Sequence, residues 1–224
     1  MSENSLKTPK KFQDFYGRDF LVSPDVLVPR PETEQMIDMV LSLSGRAYLP
    51  GMASPARILP EQPVILDIGT GSGCIAITVA LEISEAKVHA LDISLEALKV
   101  ARENARRLLA DVKFMQSDLL SSYGGPKPDL ILANLPYVDK NWEWVDTEAL
   151  SSEPEMALYA EDGGLELIKE LFVQISSAER SPQLILEADP CQHEAIIKYA
   201  KKRGFRHEET RGFILRFTRN ICPE

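Results

Sequence analysis

Apolar residues follow two alternating patterns along most of the chain. From Val64 onward, short continuous apolar runs alternate with longer segments in which apolar residues recur at helical spacing. Continuous apolar runs are typical of parallel strands that are covered on both faces of a sheet. The predicted strands are "VILDI", "KVHALDI", "VKFMQ", "DLILAN" and "QLILEA", and the predicted helices are "GCIAITVALEI", "SLEALKVARENARRLLA", "GLELIKELFVQISSA" and "QHEAIIKYAKKRG". Ser94, which opens the second of these helices, is expected to be its N-cap.

The pattern changes after Gly204. The segments "FRHEET" and "FILRFTR" are separated only by Arg211 and Gly212, which leaves no room for a crossover helix. They are therefore expected to form an antiparallel pair at the sheet edge. The predicted fold is α/β: a doubly wound, mostly parallel, seven-stranded Rossmann-like sheet with an antiparallel C-terminal hairpin.

The residues before Val64 are less regular. "FYGRDFLVSPDVLVPRPETE" is expected to be hairpin-like or extended, and "TEQMIDMVLSLSG" predicts an amphipathic helix that ends at Gly45. Residues 46–63 contain four prolines and predict a surface connection. The expected organisation is an N-terminal extension at 1–45, a proline-rich connection at 46–63 and the main domain at 64–224.

Composition narrows the class of partner. The chain has 25 Lys and Arg against 34 Asp and Glu, a net charge of -9. Because such a balance opposes binding through phosphate contacts, nucleic acid is not expected as a partner. No apolar run is long enough for a membrane span, and the N-terminal residues lack the apolar core of a signal peptide, so a cytoplasmic location is expected. Histidines and cysteines lack metal-ligand spacing, so no metal site is predicted.

A glycine-rich loop lies between the first predicted strand and the first predicted helix of the main domain. "VILDIGTGSGCIAI" places three glycines where the backbone can turn sharply and approach a ligand closely. Asp92 ends the next strand, where an acid of a doubly wound fold can accept both hydroxyl hydrogens of a ribose. A glycine turn with capping acids is the structural alternative to a cofactor site. The residues expected to bind a cofactor are Asp67, Gly69, Thr70, Gly71, Ser72, Gly73, Asp92, Ile93, Asp118, Leu119 and Asn134.

Two classes of cofactor are compatible with this loop. A dinucleotide places its pyrophosphate on a helix N-terminus, usually over the spacing GxGxxG, whereas the spacing here is GxGxG. Asp67 would also repel a pyrophosphate, but it would attract the ammonium and sulfonium of S-adenosylmethionine. Asp118 is placed to accept a hydrogen bond from an adenine amino group, and Leu119 to lie against the ring. The predicted cofactor is therefore S-adenosylmethionine.

The stretch "ILANLPYVDKNW" ends a buried strand abruptly at Asn134, which is followed by Leu135, Pro136 and Tyr137. The simplest interpretation is a strand that stops in a turn, since proline cannot continue a ladder and asparagine is common in turns. Together with "DIGTGSG", "LDIS" and "SDLL", however, "NLPY" resembles the motifs of class I methyltransferases that act on a planar exocyclic or amide nitrogen.

Three further stretches narrow this resemblance. They are "LVPRPETE" (Leu27 to Glu34), "EPEMAL" (Glu153 to Leu158) and "EDGGL" (Glu161 to Leu165). With "NLPY" they are similar to the bacterial peptide chain release factor glutamine methyltransferases, and the similarity runs from about Phe15 to the C-terminus. The resemblance implies methyl transfer to the glutamine of the Gly-Gly-Gln loop of a release factor, which would be the protein partner.

The resemblance also implies roles for individual residues. The substrate amide would donate one hydrogen bond to the Asn134 side-chain oxygen and one to the Leu135 carbonyl, with Pro136 stiffening the turn and Tyr137 packing against the amide. Asn134, Pro136 and Tyr137 are thus the expected catalytic residues, and the substrate would bind across residues 134–137. The resemblance further implies that Arg30, Glu32 and Thr33 shape the wall beside the methionine end of the cofactor. Glu187 and Gln192 are expected to be structural.

Three departures from the family keep alternatives open. Leu135 replaces a proline and is expected to make the loop less rigid, and "TRGFILRF" is shorter than the corresponding family segment. Only about a dozen residues precede Phe15, so the usual N-terminal helical domain is expected to be mostly missing and docking to differ. Because "NLPY" also occurs in ribosomal RNA adenine dimethylases, an N6-adenine methyltransferase is the second hypothesis. A non-catalytic S-adenosylmethionine-binding module is the third.

Overall fold

One seven-stranded sheet organises the chain. The computed structural model describes residues 11–46, 56–143, 153–177 and 182–219. The strands of the sheet are β3 (Val64–Ile68), β4 (Lys87–Asp92), β5 (Val112–Gln116), β6 (Leu130–Ala133), β7 (Gln183–Glu187), β8 (Phe205–Arg211) and β9 (Ile214–Arg219). Their order is β5-β4-β3-β6-β7-β9-β8, with the first five parallel and β9 antiparallel to both of its neighbours. The predicted fold class is confirmed.

Helices cover both faces of this sheet. They are α1 (Glu34–Leu43), α2 (Cys74–Glu82), α3 (Leu95–Leu108), α4 (Glu155–Leu158), α5 (Glu161–Gly164), α6 (Glu166–Ser176) and α7 (His193–Lys202). Ile65 packs into a core with α1 and α2, whereas the next residue, Leu66, packs into a second core with α6 and α7. Because successive strand residues point to opposite faces and both faces are buried at the centre of the sheet, the central strands β3, β6 and β7 are apolar almost throughout. No helix in the described ranges is both long and apolar enough to cross a membrane.

The N-terminal residues form a hairpin that shares the first core. Strands β1 (Lys11–Phe15) and β2 (Arg18–Val22) pair antiparallel, so the hairpin begins earlier than the sequence pattern indicates. Phe15 and Phe20 are fully buried with α1 and α2. Residues 47–55 of the expected proline-rich connection lie outside the described residues, and the domain boundaries remain a prediction.

Two local predictions can be compared with the structure. The Ser94 hydroxyl accepts a hydrogen bond from the Ala97 N–H at 3.2 Å, which confirms the N-cap of α3. The C-terminal hairpin forms as expected, but its turn is shifted by one residue because Arg211 still pairs with Ile214. Gly212, with φ of +51°, takes the left-handed position of that turn.

The strand order creates the crevice that holds the candidate site. From β3 the chain crosses to β4 and β5 on one side, and then to β6 and β7 on the other. The carboxyl ends of β3 and β6 therefore lie beside each other at the point where the winding direction reverses. In open α/β sheets this is where ligands bind.

Candidate active site

A cavity of about 430 Å³ lies at the carboxyl ends of β3, β4 and β6. Several residues between 24 and 33 also line it, as do Pro154, Met156 and Ala157. The predicted cofactor and substrate residues that line it are Gly69, Thr70, Gly71, Ser72, Asp92, Ile93, Asp118, Leu119, Asn134, Leu135 and Pro136. Asp67, Gly73 and Tyr137 lie behind this lining. The strand ends thus bring most of the predicted residues together.

Gly71 and Gly73, two of the three glycines of the loop, have different roles. All have positive φ, at +72° for Gly69, +54° for Gly71 and +82° for Gly73. A Cβ on Gly71 would meet no atom within 4 Å, whereas a Cβ on Gly73 would lie 3.3 Å from the Ala101 Cα. Gly71 faces the cavity, and Gly73 lets α2 and α3 approach closely. We therefore assign Gly73 to helix packing rather than to direct contact with a ligand.

Asp67 is fully buried behind the glycine loop. Its Oδ2 accepts hydrogen bonds from the Thr70 hydroxyl at 2.6 Å and from the Ala76 N–H at 3.3 Å. Its Oδ1 has no hydrogen-bond partner among the described residues. Burial raises the pKa of Asp67 to about 7, although the two hydrogen bonds oppose this shift. The carboxyl holds the loop in place and favours positive charge nearby.

Asp67→Asn is expected to change how stability depends on pH. A carboxyl whose folded-state pKa is raised makes the protein less stable as pH rises from the unfolded pKa of 3.8 through about 7. Between pH 5 and pH 8.5 we expect the wild type to lose on the order of 2–3 kcal/mol more than the variant. Urea unfolding of both proteins at the two pH values measures this difference. Parallel curves would contradict it.

Asp92 holds the loop from its other side. Its Oδ2 accepts the Gly71 N–H at 2.8 Å and its Oδ1 accepts the Ser94 N–H at 2.9 Å. Burial raises the pKa of Asp92, and these backbone hydrogen bonds lower it. A carboxylate has about four acceptor positions, so capacity remains for two ligand hydroxyls. Ile93 and Leu119, which also line the cavity, supply apolar surface beside it.

The charges around the cavity favour a cationic ligand. Among its described lining residues, Arg30 is the only cation, and it pairs with Glu153 at 2.5 Å. Four carboxyl groups line the same cavity, those of Asp25, Asp92, Glu96 and Asp118. A pyrophosphate would therefore meet negative charge without a free cation to neutralise it.

The end of β6 presents two acceptors. Asn134 Nδ2 donates to the Thr33 hydroxyl at 3.2 Å, and this orientation leaves Oδ1 as the free end of the carboxamide. Among the described residues, no donor bonds to Asn134 Oδ1 or to the Leu135 carbonyl. Both residues line the cavity. The loop can therefore accept two hydrogen bonds from an NH2 group.

The Leu135 side chain packs inward. It is 5% exposed and belongs to the second core. A Cβ on Gly69 would lie 3.1 Å from Leu135 Cδ2, so the glycine loop and the "NLPY" loop are in close contact. Packing of Leu135 therefore restrains the "NLPY" loop at the position where the family that the sequence resembles has a second proline.

Tyr137 is held from behind the cavity. Its hydroxyl donates to Glu187 Oε1 at 3.2 Å, and its carbonyl accepts from Gln192 Nε2 at 2.8 Å. Burial is the main cause that raises the pKa of Tyr137. The same Gln192 Nε2 donates to the Gly163 carbonyl at 2.8 Å and so joins the "NLPY" and "EDGGL" segments. Stacking of Tyr137 on a substrate amide remains a prediction.

Glu153 joins two motifs that the sequence shows only as separate stretches. Its side chain is 6% exposed; Oε1 pairs with Arg30, and Oε2 accepts the Val28 N–H at 3.0 Å. "LVPRPETE" and "EPEMAL" are thereby fixed together beside the cavity. Of the expected wall residues, Arg30 and Thr33 line the cavity, while Glu32 is exposed and does not. The signal in the sequence that could have indicated the Arg30–Glu153 pair is the presence of a basic and an acidic residue in two proline-containing motifs.

Comparisons with known proteins identify related methyltransferases. Residues 53–178 match the family model described as methyltransferase small domain. A release factor glutamine methyltransferase of Koribacter versatilis is 46% identical over 165 residues, which cover 73% of this chain and 54% of that protein. The one of Bacillus subtilis is 40% identical over 199 residues, covering 87% and 66% respectively. The chain thus spans little more than half the length of the first relative.

The fold also has solved counterparts. A methyltransferase from Pyrococcus furiosus superposes with a TM-score of 0.62 at 18% sequence identity. The match covers 90% of this chain and 87% of that one. At this identity the likeness supports the seven-stranded class I methyltransferase architecture and nothing more specific.

Proposed function

The chain belongs to the methyltransferase small domain family, and we propose that it transfers a methyl group from S-adenosylmethionine to the side-chain amide nitrogen of a protein glutamine. The proposed substrate is the glutamine of the Gly-Gly-Gln loop of a peptide chain release factor. The relatives named release factor glutamine methyltransferase support this choice of acceptor. We place the reaction in the cytoplasm, where release factors act.

One observation carries the proposal: Asn134 Oδ1 and the Leu135 carbonyl are adjacent acceptors at the cavity, and no described residue donates to either. A primary amide has two N–H donors on one planar nitrogen. Two fixed acceptors can engage both hydrogens and so set the direction in which that nitrogen faces. A hydroxyl or a thiol has a single hydrogen, so as the group that receives the methyl it could not donate to both oxygens.

The amide nitrogen is a poor nucleophile because its lone pair is delocalised into the carbonyl. Among the described residues that line the cavity, no side chain is a base strong enough to deprotonate it, so positioning and electrostatics must supply the rate. Asn134 Oδ1 and the Leu135 carbonyl would stabilise the positive charge that develops on nitrogen. Pro136 and the packing of Leu135 keep these oxygens in place and limit the reorganisation that the reaction requires.

The residues present fit S-adenosylmethionine. Asp92 would accept the ribose hydroxyls, Asp118 the adenine amino hydrogens, and Ile93 and Leu119 would contact the ring. The unpartnered Asp67 Oδ1 behind the glycine loop favours the cationic end of the molecule. When bound, this cofactor supplies an electrophilic methyl group on a sulfonium.

Asp92→Asn is expected to weaken cofactor binding. An amide would turn its NH2 towards the Gly71 or the Ser94 N–H, and it would lose an acceptor for the ribose. We expect the Kd for S-adenosylmethionine to rise roughly tenfold or more. Asp118→Asn is the matched control, because its carbonyl can still accept from the adenine amino group and its effect should stay below about threefold. Calorimetric titration measures both, and an equal effect of the two changes would refute the assignment of Asp92.

The acceptor is tested by comparing initial rates of methyl transfer. The purified chain is given methyl-labelled S-adenosylmethionine with an unmodified release factor, with the same factor carrying alanine for the Gly-Gly-Gln glutamine, or with adenine-containing RNA. We expect transfer to the first acceptor only. Transfer to the RNA would favour the N6-adenine hypothesis, and cofactor binding without transfer to any acceptor would favour a non-catalytic module.

A further inference from the structure

Three polar side chains from distant parts of the chain form a hydrogen-bonded series behind the cavity. Glu187 ends β7, Thr33 precedes α1, and Asn134 directly follows β6. The Thr33 hydroxyl donates to Glu187 Oε2 at 2.7 Å and accepts from Asn134 Nδ2 at 3.2 Å. Thr33 and Glu187 are each 2% exposed. Buried polar groups in such a series leave little freedom for alternative hydrogen bonds.

The direction of each hydrogen bond follows from the number of hydrogens available. Burial raises the pKa of Glu187, whereas hydrogen bonds from Thr33, Tyr137 and Asn134 lower it and favour the carboxylate. In this ionised form Glu187 only accepts, so the hydroxyls of Thr33 and Tyr137 both donate to it. Thr33 has a single hydroxyl hydrogen, which is thereby used. Its oxygen can then only accept from Asn134, and Asn134 must present Nδ2 to it. Asn134 Oδ1 is left as the end that can receive a substrate N–H.

We infer that Thr33 and Glu187 are positioning residues that hold the Asn134 carboxamide with its oxygen available to the substrate amide. The inference rests on the proposed function for its kinetic consequence. In the reversed orientation, Asn134 would offer NH2 to a substrate NH2, and the two donors would repel. The role previously expected for Glu187, a purely structural one, is thereby extended to the choice of amide orientation.

Thr33→Val removes the hydroxyl while nearly keeping the shape of the side chain. We expect kcat for methyl transfer to fall roughly tenfold or more, with the Kd for S-adenosylmethionine within about twofold of wild type. Thr33→Ser, which keeps the hydroxyl, should restore kcat to within about threefold of wild type. Thr78→Val is the matched control, since Thr78 is fully buried in α2 and its hydroxyl oxygen has no partner among the described residues.

Glu187→Gln provides an independent change. The new amide can donate to Thr33, which would then direct its own hydrogen towards Asn134 and favour the reversed carboxamide. We expect a fall in kcat comparable to that of Thr33→Val. The inference would be overturned if Thr33→Val and Glu187→Gln both kept the kcat of Thr78→Val. It would also be overturned if both variants lost cofactor affinity together with kcat.

A readout without turnover separates this inference from the proposed function. In NMR spectra of the full chain, Thr33→Val should shift the Asn134 side-chain NH2 signals towards those of exposed asparagines, whereas Thr78→Val should leave them in place. If wild type transfers no methyl group to glutamine but these signals move, the proposed function fails and the orientation stands. If the signals do not move, the orientation fails whatever the activity.

Discussion

Replacing Asn134 with alanine is expected to lower kcat for methyl transfer by roughly 10²–10³-fold while leaving the Kd for S-adenosylmethionine within about twofold. The change removes one of the two acceptors that would fix the substrate amide and stabilise positive charge on its nitrogen. The backbone acceptor at Leu135 remains, so some transfer should survive. Steady-state kinetics with a release factor, together with calorimetric titration of the cofactor, measures the two quantities separately.

Asn141→Ala is the matched control for this prediction. Asn141 lies on the same segment after β6, but it is exposed and bonds to Asp139 rather than to the site. Its replacement should leave both kcat and cofactor affinity near wild type. If Asn134→Ala were as active as Asn141→Ala, the substrate amide would have to be held elsewhere, and the role given to the "NLPY" loop would be wrong.

Gly164→Ala is expected to give the second large effect. A Cβ there would lie 1.9 Å from the Tyr137 carbonyl oxygen and 2.6 Å from Gln192 Nε2, so the "EDGGL" turn and the "NLPY" loop would have to separate. The hydrogen bonds from Gln192 to both segments would be lost. We expect about 2–4 kcal/mol less stability and a fall in kcat of roughly 10²-fold or more.

Gly163→Ala separates this steric effect from backbone strain. Its φ of +69° is close to the +78° of Gly164, but a Cβ on Gly163 would approach nothing nearer than Asp139 Oδ2 at 3.9 Å. Only the cost of a left-handed alanine, about 1 kcal/mol, is expected. Thermal unfolding and kcat of the two variants are compared side by side. Equal losses would mean that strain, not contact with the "NLPY" loop, explains why glycine is required at 164.

The elements that the sequence predicts well are those whose signal is local. Strand β3 and helix α2 follow from an apolar run, a glycine loop and a second apolar segment, and Ser94 caps α3 because its hydroxyl reaches an N–H three residues later. The placement of Asp92 and Asn134 at one sheet edge follows from parallel strands having their carboxyl ends together. Local periodicity therefore accounts for the position of the cavity.

The remaining features depend on partners far apart in the chain. Thr33 meets Glu187 across 154 residues, and Val28 meets Glu153 across 125. No periodic pattern specifies which hydroxyl or backbone N–H will meet which distant carboxylate, so these two hydrogen bonds could not be predicted. Gly73 illustrates the same difficulty: it belongs to a ligand-binding motif, but its close neighbour is Ala101 of α3.

The position of the transferred methyl group tests most directly whether this chain methylates a glutamine. The purified chain is incubated with S-adenosylmethionine and an unmodified release factor, and the product is digested and located by peptide mass mapping. We expect one added methyl on the side-chain amide nitrogen of the Gly-Gly-Gln glutamine, and a rate of its appearance that is roughly 10²–10³-fold lower with Asn134→Ala. A methyl group on any other residue, or none despite measurable cofactor binding, would refute glutamine methylation by this chain.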